Sequence, residues 1–272
     1  VIEIVERGAV RELRLARPPA NALSPELMAA LTAALAQATA DAAAPPPEPA
    51  AAGGRVAALV LSGAPGMFSA GLDLPFLLTL DRAGIRAMWR DFYALLRALA
   101  ASPLPVVAAI TGHSPAGGAV LALHCDARVM ADGDFRIGLN EVRVGLPLPP
   151  VILAAMRRAV GPRQAERMCV SGTLALPGEA ARIGLVDEVV PPGEVVERAA
   201  AIAAELAALP RAAMTATRRL ARADLVALYD DESGEGGESG EIEGVLDSWF
   251  SVEAQATMRA LVERLARKRG GG

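Results

Sequence analysis

The chain has 272 residues, 53% of them hydrophobic, and a formal net charge of −4. It is long enough to bury a sizeable core and has no basic surplus for nucleic acid to bind. No apolar run reaches the ~18–20 residues of a membrane span, and with aromatics at only 3% the core is expected to be aliphatic.

Val1 onward reads as a strand rather than a charged-then-apolar leader, which sets a cytoplasmic location as the expectation. Val1 to Glu6 and Ala9 to Leu15 alternate as two strands around Arg7-Gly8. Arg17-Pro18-Pro19-Ala20-Asn21-Ala22-Leu23 is a loop. Ser24 then caps a helix to about Thr39, with Pro25 at its first position and Glu26 in its first turn. Ala42 to Gly54 is a proline- and alanine-rich linker without a role of its own.

Val56 to Leu61 reads as a buried strand. Ile85 to Ala100 has helical spacing of Ile85, Met88, Trp89, Phe92, Leu95, Leu96 and Leu99, and Pro103 stops it. A strand at Val106 to Ile110 and a short helix at Gly117 to Cys125 follow. Arg128 to Ala131 and Phe135 to Gly138 read as strands. Helices are expected at Val151 to Val160, Pro162 to Ser171 and Pro177 to Ile183, then a strand at Leu185 to Val190. Glu194 to Leu209 and Arg211 to Leu228 read as one helix each. Asp230 to Gly240 is an acidic, glycine-rich loop, and Glu241 to Phe250 and Ser251 to Lys268 are terminal helices. Alternating strand and helix make this an α/β fold with a helical tail: a core over 1–190 and a C-terminal helical region over 191–272.

Two small-residue turns follow apolar runs: Phe68-Ser69-Ala70-Gly71-Leu72-Asp73 after the first, Ser114-Pro115-Ala116-Gly117-Gly118 after the second. Glycine lets backbone approach a ligand closely, and two such turns could aim two N–H groups at one oxygen. Glu141 follows in Ile137-Gly138-Leu139-Asn140-Glu141. It reads either as an exposed turn acid or as a carboxylate whose apolar surroundings raise its pKa toward neutrality. Two N–H donors and one carboxylate suffice for enolate chemistry. Cys125 and Cys169 read as buried free thiols. His113, His124, Asp73 and Asp126 read as structural, and metal-ligand spacing and a dinucleotide fingerprint are absent.

The order FSAGLD, PAGG, CDARVMAD, IGLNE resembles the crotonase (enoyl-CoA hydratase/isomerase) superfamily. The likeness is greatest to its Δ3,Δ2-enoyl-CoA isomerases of the mitochondrial type, from about Arg17 to about Val190 and more weakly beyond. The resemblance implies a spiral of ββα turns with C-terminal helices at a trimer interface. It implies an oxyanion hole made by the backbone N–H groups of Leu72 and Gly117, with Glu141 as acid and base. It places a coenzyme A thioester along Ala20, Ala22, Ser69, Ala70, Gly71 and Asp73. Coenzyme A is then part of the substrate, and no separate cofactor is expected. Arg17 is the first candidate for its phosphates, and Lys268 with its neighbouring arginines the second. Hydratases of this superfamily carry another glutamate six positions before the Asp of CD; here that position is Val120. The expected activity is therefore double-bond migration in an enoyl-CoA, with hydration by an alternative water site, or acyl-CoA binding without catalysis, as rivals. The expected assembly is a homotrimer or a dimer of trimers, and the apolar residues Val245, Leu246, Trp249 and Phe250 are the reason in the sequence itself.

Overall fold

The computed structural model describes residues 1–44, 55–230 and 238–270. β1 (Ile2–Arg7) and β2 (Val10–Leu15) form an antiparallel hairpin. α1 (Pro25–Ala43) starts at Ser24, whose hydroxyl accepts the Leu27 N–H at 3.2 Å, with Pro25 at the first helical position. It runs four residues beyond the expected end. Most of the linker, residues 45–54, lies outside the described residues, as do 231–237 of the acidic segment.

A three-part unit then recurs. β3 (Ala58–Ser62) is followed by β4 (Gly66–Met67), then α2 (Leu74–Leu77) and α3 (Arg82–Ala101). β5 (Val106–Ile110) is followed by β6 (Gly112–Pro115) and α4 (Gly117–Leu123). β7 (Ala127–Ala131) is followed by β8 (Ile137–Gly138), a 3-10 turn at Glu141–Val144 and α5 (Pro150–Val160), after which come α6 (Pro162–Ser171) and α7 (Pro177–Arg182). The first strand of each unit joins a six-stranded sheet that β9 (Glu188–Val190) completes, in the order β1-β2-β3-β5-β7-β9. The second joins a three-stranded sheet, β4-β6-β8. All pairs except β1–β2 are parallel.

Every residue of β3 and β5 is buried, because both faces of the large sheet are covered. Leu59, Leu61, Val106, Ala108 and Ile110 face the main core with α1 and α3. Ala58, Val60, Val107 and Ala109 face the other way, onto Val195, Ala199 and Ala203 of α8 (Val195–Ala207). Burying each leucine contributes roughly 1.5–3 kcal/mol.

The stretch expected to be one helix over Arg211 to Leu228 is two, α9 (Arg211–Ala221) and α10 (Ala223–Asp230). Arg222 stands at the break. Its guanidinium donates to the carbonyls of His124 and Cys125, each at 2.8 Å, and lies 3.2 Å from Asp126. Arg218 contacts Asp126 at 2.8 Å and the carbonyls of Leu99 and Ala100 at 3.1 Å. These are the orphan carbonyls at the ends of α3 and α4, so tertiary capping interrupts the helix where no glycine or proline does. α11 (Glu238–Trp249) and α12 (Val252–Gly270) close the chain. Val245, Leu246 and Trp249 are buried within the chain itself. They need no second subunit to cover them, contrary to the expectation from sequence; Phe250 is exposed.

Candidate active site

The two glycine turns meet. Gly71 has φ +83°, and a Cβ there would lie 2.9 Å from the Gly117 nitrogen. A Cβ on Gly117 would lie 3.1 Å from Gly71 Cα and 3.4 Å from the Leu72 nitrogen. The bare backbones are what allow this approach. Neither the Leu72 N–H nor the Gly117 N–H has an acceptor among the described residues. Gly117 opens α4, where N–H groups lack helical partners and the dipole favours negative charge. Ala116, just before it, is held at φ +49°, ψ −122°, an unfavourable conformation for a residue with a Cβ. Its own N–H is fixed on the Gly138 carbonyl at 2.8 Å. Ala116 thus connects the first residue of α4 to the Gly138 that precedes Leu139-Asn140-Glu141.

Beside these donors lies an apolar cavity of about 270 Å³. Ala70, Leu72, Gly117, Val120 and Glu141 line it, with Trp89 and Phe92 from α3 and Leu261 and Leu265 from α12. Among the described residues Glu141 is the one carboxylate in the lining, and Val120 presents only methyl groups where a second acid would stand. The Glu141 Oε2 is buried with no hydrogen-bond partner among the described residues. Burial pushes its pKa up to about 7, against an opposing pull from the N–H groups of Glu141 and Asn140.

Glu12 shows the contrasting case. It too is buried, but its carboxylate accepts from Ser62 at 2.7 Å, from Arg7 at 2.9 Å and from Arg14 at 3.0 Å. Burial alone would raise its pKa; the hydrogen bonds from Ser62, Arg7 and Arg14 hold it below the usual value. Glu12 is therefore locked as an ion, whereas Glu141 is free to exchange a proton near neutrality.

The remaining predicted binding residues fall into two groups. Ala20, Ala22 and Ala70 are partly exposed, with the Ala20 carbonyl taking the Ala70 N–H at 2.9 Å. Ser69 is fully buried, its hydroxyl donating to the Asn21 carbonyl at 2.8 Å and accepting the Gly71 N–H at 3.2 Å. Its side chain holds the loop together. Asp73 caps α2 through the Phe76 N–H and pairs with Arg17 at 2.7 Å. Arg17 also donates to the Ala22 carbonyl at 3.3 Å. The guanidinium expected to meet a phosphate is thus committed to a carboxylate, because the two loops pack edge to edge. The side chain of Lys268 lies outside the described residues. Sequence reasoning passed over Asn21, which joins these loops. Its only signal was an asparagine after Pro18-Pro19, a residue type that tolerates left-handed backbone.

The other candidates are structural. His124 is buried between the Val120 carbonyl and the Tyr229 hydroxyl, each at 2.7 Å, and burial lowers its pKa to about 4. His113 Nδ1 accepts the Arg136 N–H at 3.2 Å. Cys125 and Cys169 are free and buried. Burial pushes their thiols up, to about 12 and about 11. A wider groove of about 530 Å³ runs along α9, but its charged groups are already paired: Asp126 with Arg218 and Arg222, and Arg158 with Asp224. Among the described residues it offers no unpaired acid or base. No group of potential metal ligands occurs among the described residues.

Two N–H donors without acceptors among the described residues and a protonatable carboxylate, on a spiral of strand–strand–helix units, are an arrangement chemically able to stabilise an enolate-like anion. The chain belongs to the enoyl-CoA hydratase/isomerase family, the crotonases, whose model matches residues 6–230. It is 35% identical over 224 residues to mouse mitochondrial enoyl-CoA delta isomerase 1, covering 82% of this chain and 73% of that one. The rat protein of the same name is 39% identical over 165 residues, 60% of this chain and 57% of its own length. A Thermus thermophilus protein provisionally called an enoyl-CoA hydratase is 36% identical over 220 residues, 79% of this chain and 81% of that one. The crystal structure of human mitochondrial delta3-delta2-enoyl-CoA isomerase superposes with a TM-score of 0.87 at 29% identity, covering 100% of this chain and 99% of that one.

Proposed function

We propose that this crotonase is a Δ3,Δ2-enoyl-CoA isomerase. The observation that carries the reading is a cavity lined, among the described residues, by two free N–H donors, one carboxylate, Glu141, and a valine at position 120. In the reaction the ionised Glu141 takes a proton from C2 of a 3-enoyl thioester. The electron pair moves into the carbonyl, and the resulting dienolate oxygen is held by the N–H groups of Leu72 and Gly117. Glu141, now a carboxylic acid, returns the proton to C4, leaving the double bond between C2 and C3. One group does both transfers, and a pKa near 7 suits it to each direction at neutral pH. Removal of an oxyanion donor typically costs about 2.7–4 kcal/mol of transition-state energy.

Hydration would need a group to activate water as well as one to manage the C2 proton, and Val120 does neither. The deciding experiment offers the purified protein 3-enoyl-CoA and 2-enoyl-CoA in parallel. Rapid conversion of the first with little hydration of the second supports the reading. Preferred hydration of the second would make the protein a hydratase, and turnover of neither would leave a binding protein. We also propose assembly as a trimer or a dimer of trimers. With Val245, Leu246 and Trp249 buried, the support is the exposure of Leu209 and Leu220 beside and on α9, the latter 73% exposed. Light scattering should give at least three times the chain mass; a monomer at micromolar concentration would contradict it.

A further inference from the structure

Asn21 stands where the loop from Arg17 to Leu23 crosses the loop from Met67 to Asp73. It is 2% exposed and has left-handed backbone, φ 49°. Every polar group it carries is engaged. Its N–H donates to the Arg17 carbonyl at 2.8 Å, and its Oδ1 accepts the Arg17 N–H at 2.9 Å. Its Nδ2 donates to the Phe68 carbonyl at 3.1 Å and, more weakly, to that of Met67 at 3.4 Å. Its carbonyl accepts the Ser69 hydroxyl at 2.8 Å, and that same hydroxyl accepts the Gly71 N–H at 3.2 Å.

The consequence appears at Leu72. On either side of it the N–H groups are tied: Ala70 to the Ala20 carbonyl at 2.9 Å, Gly71 to Ser69 Oγ, Asp73 to the Leu23 carbonyl at 3.2 Å. The Gly71 carbonyl, on the same peptide unit as the Leu72 N–H, accepts from Leu23 at 2.8 Å. The Leu72 N–H alone is left over. Leu23 also reaches the second donor, since its Cδ1 is 3.0 Å from where a Cβ on Gly117 would sit. Buried polar groups satisfied this fully give a backbone one arrangement rather than several.

We propose that Asn21 and Ser69 are positioning residues that fix the peptide plane carrying the Leu72 N–H, and so set how strongly the site stabilises an enolate oxygen without touching the substrate. This rests on the reading that Leu72 and Gly117 hold a thioester oxygen. Asn21→Gly removes the carboxamide while permitting the same left-handed backbone. Ser69→Ala removes the hydroxyl that links Asn21 to Gly71.

The test uses the full-length protein and a 2,4-dienoyl-CoA probe. Hydrogen bonds to the carbonyl of this conjugated thioester draw electron density toward oxygen and move its absorption to longer wavelength. In the unaltered protein the bound probe should absorb to the red of the free one. In Asn21→Gly and Ser69→Ala the shift should shrink. Their kcat for 3-enoyl-CoA should fall ~10–100-fold, as a misplacement of about 1 Å costs, with KM changed by less than about threefold. If Asn21→Gly does not fold, Ser69→Ala carries the same comparison. A full red shift and normal kcat in the folded variants, with only a lowered unfolding midpoint, would overturn the positioning role and leave the oxyanion reading intact. Absence of any red shift in the unaltered protein would overturn the oxyanion reading and this inference with it.

Discussion

Replacing Gly71 by alanine puts a methyl group between the two oxyanion donors. The new Cβ would lie 2.9 Å from the Gly117 nitrogen, 3.1 Å from Ala116 Cβ and 3.3 Å from the Pro115 carbonyl oxygen. Two of these atoms are backbone and the third is a Cβ, so none can swing aside as the end of a flexible side chain would. Relief requires the first turn and the start of α4 to part. The backbone at φ +83° adds its own penalty, ~1–2 kcal/mol for a residue with a Cβ. Overpacking at this contact adds ~1–3 kcal/mol, and for a chain of this size the combined ~2–5 kcal/mol lowers Tm by roughly 4–20 °C, so the kinetic comparison is made on the folded variant. Catalysis should suffer far more, because displacing one donor costs ~10²–10³ in kcat. Steady-state kinetics with 3-enoyl-CoA, run beside calorimetry, separates the two effects. We expect kcat of the folded variant to fall at least 100-fold, beside the lowered Tm. A kcat within threefold of normal in the folded variant would show that the donors do not act as a pair.

Two pH responses follow from groups of opposite kind. For Glu141, with a pKa of about 7, catalysis begins from the ionised form; kcat/KM should be level above about pH 8 and fall about tenfold per unit below about pH 6. A profile breaking near pH 4.5 would mean that the carboxylate is solvated. The His124 pKa is depressed by burial from 6.5 to about 4, so the unfolded chain binds the proton more readily. That contribution to stability is present above about pH 6.5 and is lost as pH falls toward 4, to the extent of roughly 3 kcal/mol. His124→Gln should flatten this part of the denaturant midpoint against pH, and an unchanged slope would refute the assignment.

The sequence announced the large sheet more readily than the small one. β5 falls where the apolar run Val106 to Ile110 lies, because a strand buried on both faces is apolar throughout. β4 and β8 are two residues each, too short for any periodicity, yet they turn each unit toward the site. The two glycine turns left local marks, but singling out Leu72, Gly117 and Glu141 rested on the likeness of FSAGLD, PAGG and IGLNE to family motifs, since a lone acid after a strand reads equally as an exposed turn residue. The partners of Arg17 were not. Asp73 is 56 residues away, and only the packing of two loops reveals that the guanidinium is occupied. The break at Arg222 was hidden for the same reason, since its causes are the carbonyls of His124 and Cys125. Asn21 carried a faint signal, but its hydrogen bonds to Met67 and Phe68 belong to tertiary structure.

The central claim is that one glutamate moves the proton both ways. Glu141→Gln keeps the side chain's size and its place in the cavity wall but cannot accept the C2 proton. General acid–base catalysis is worth ~10²–10⁴-fold; with both transfers resting on one group, the loss should lie at the upper end. The measurement is kcat for isomerisation of a 3-enoyl-CoA by Glu141→Gln, alongside its affinity for the 2-enoyl-CoA product. The account predicts a fall of about 10⁴-fold in kcat with product affinity nearly unchanged. Turnover within tenfold of the unaltered protein would contradict it.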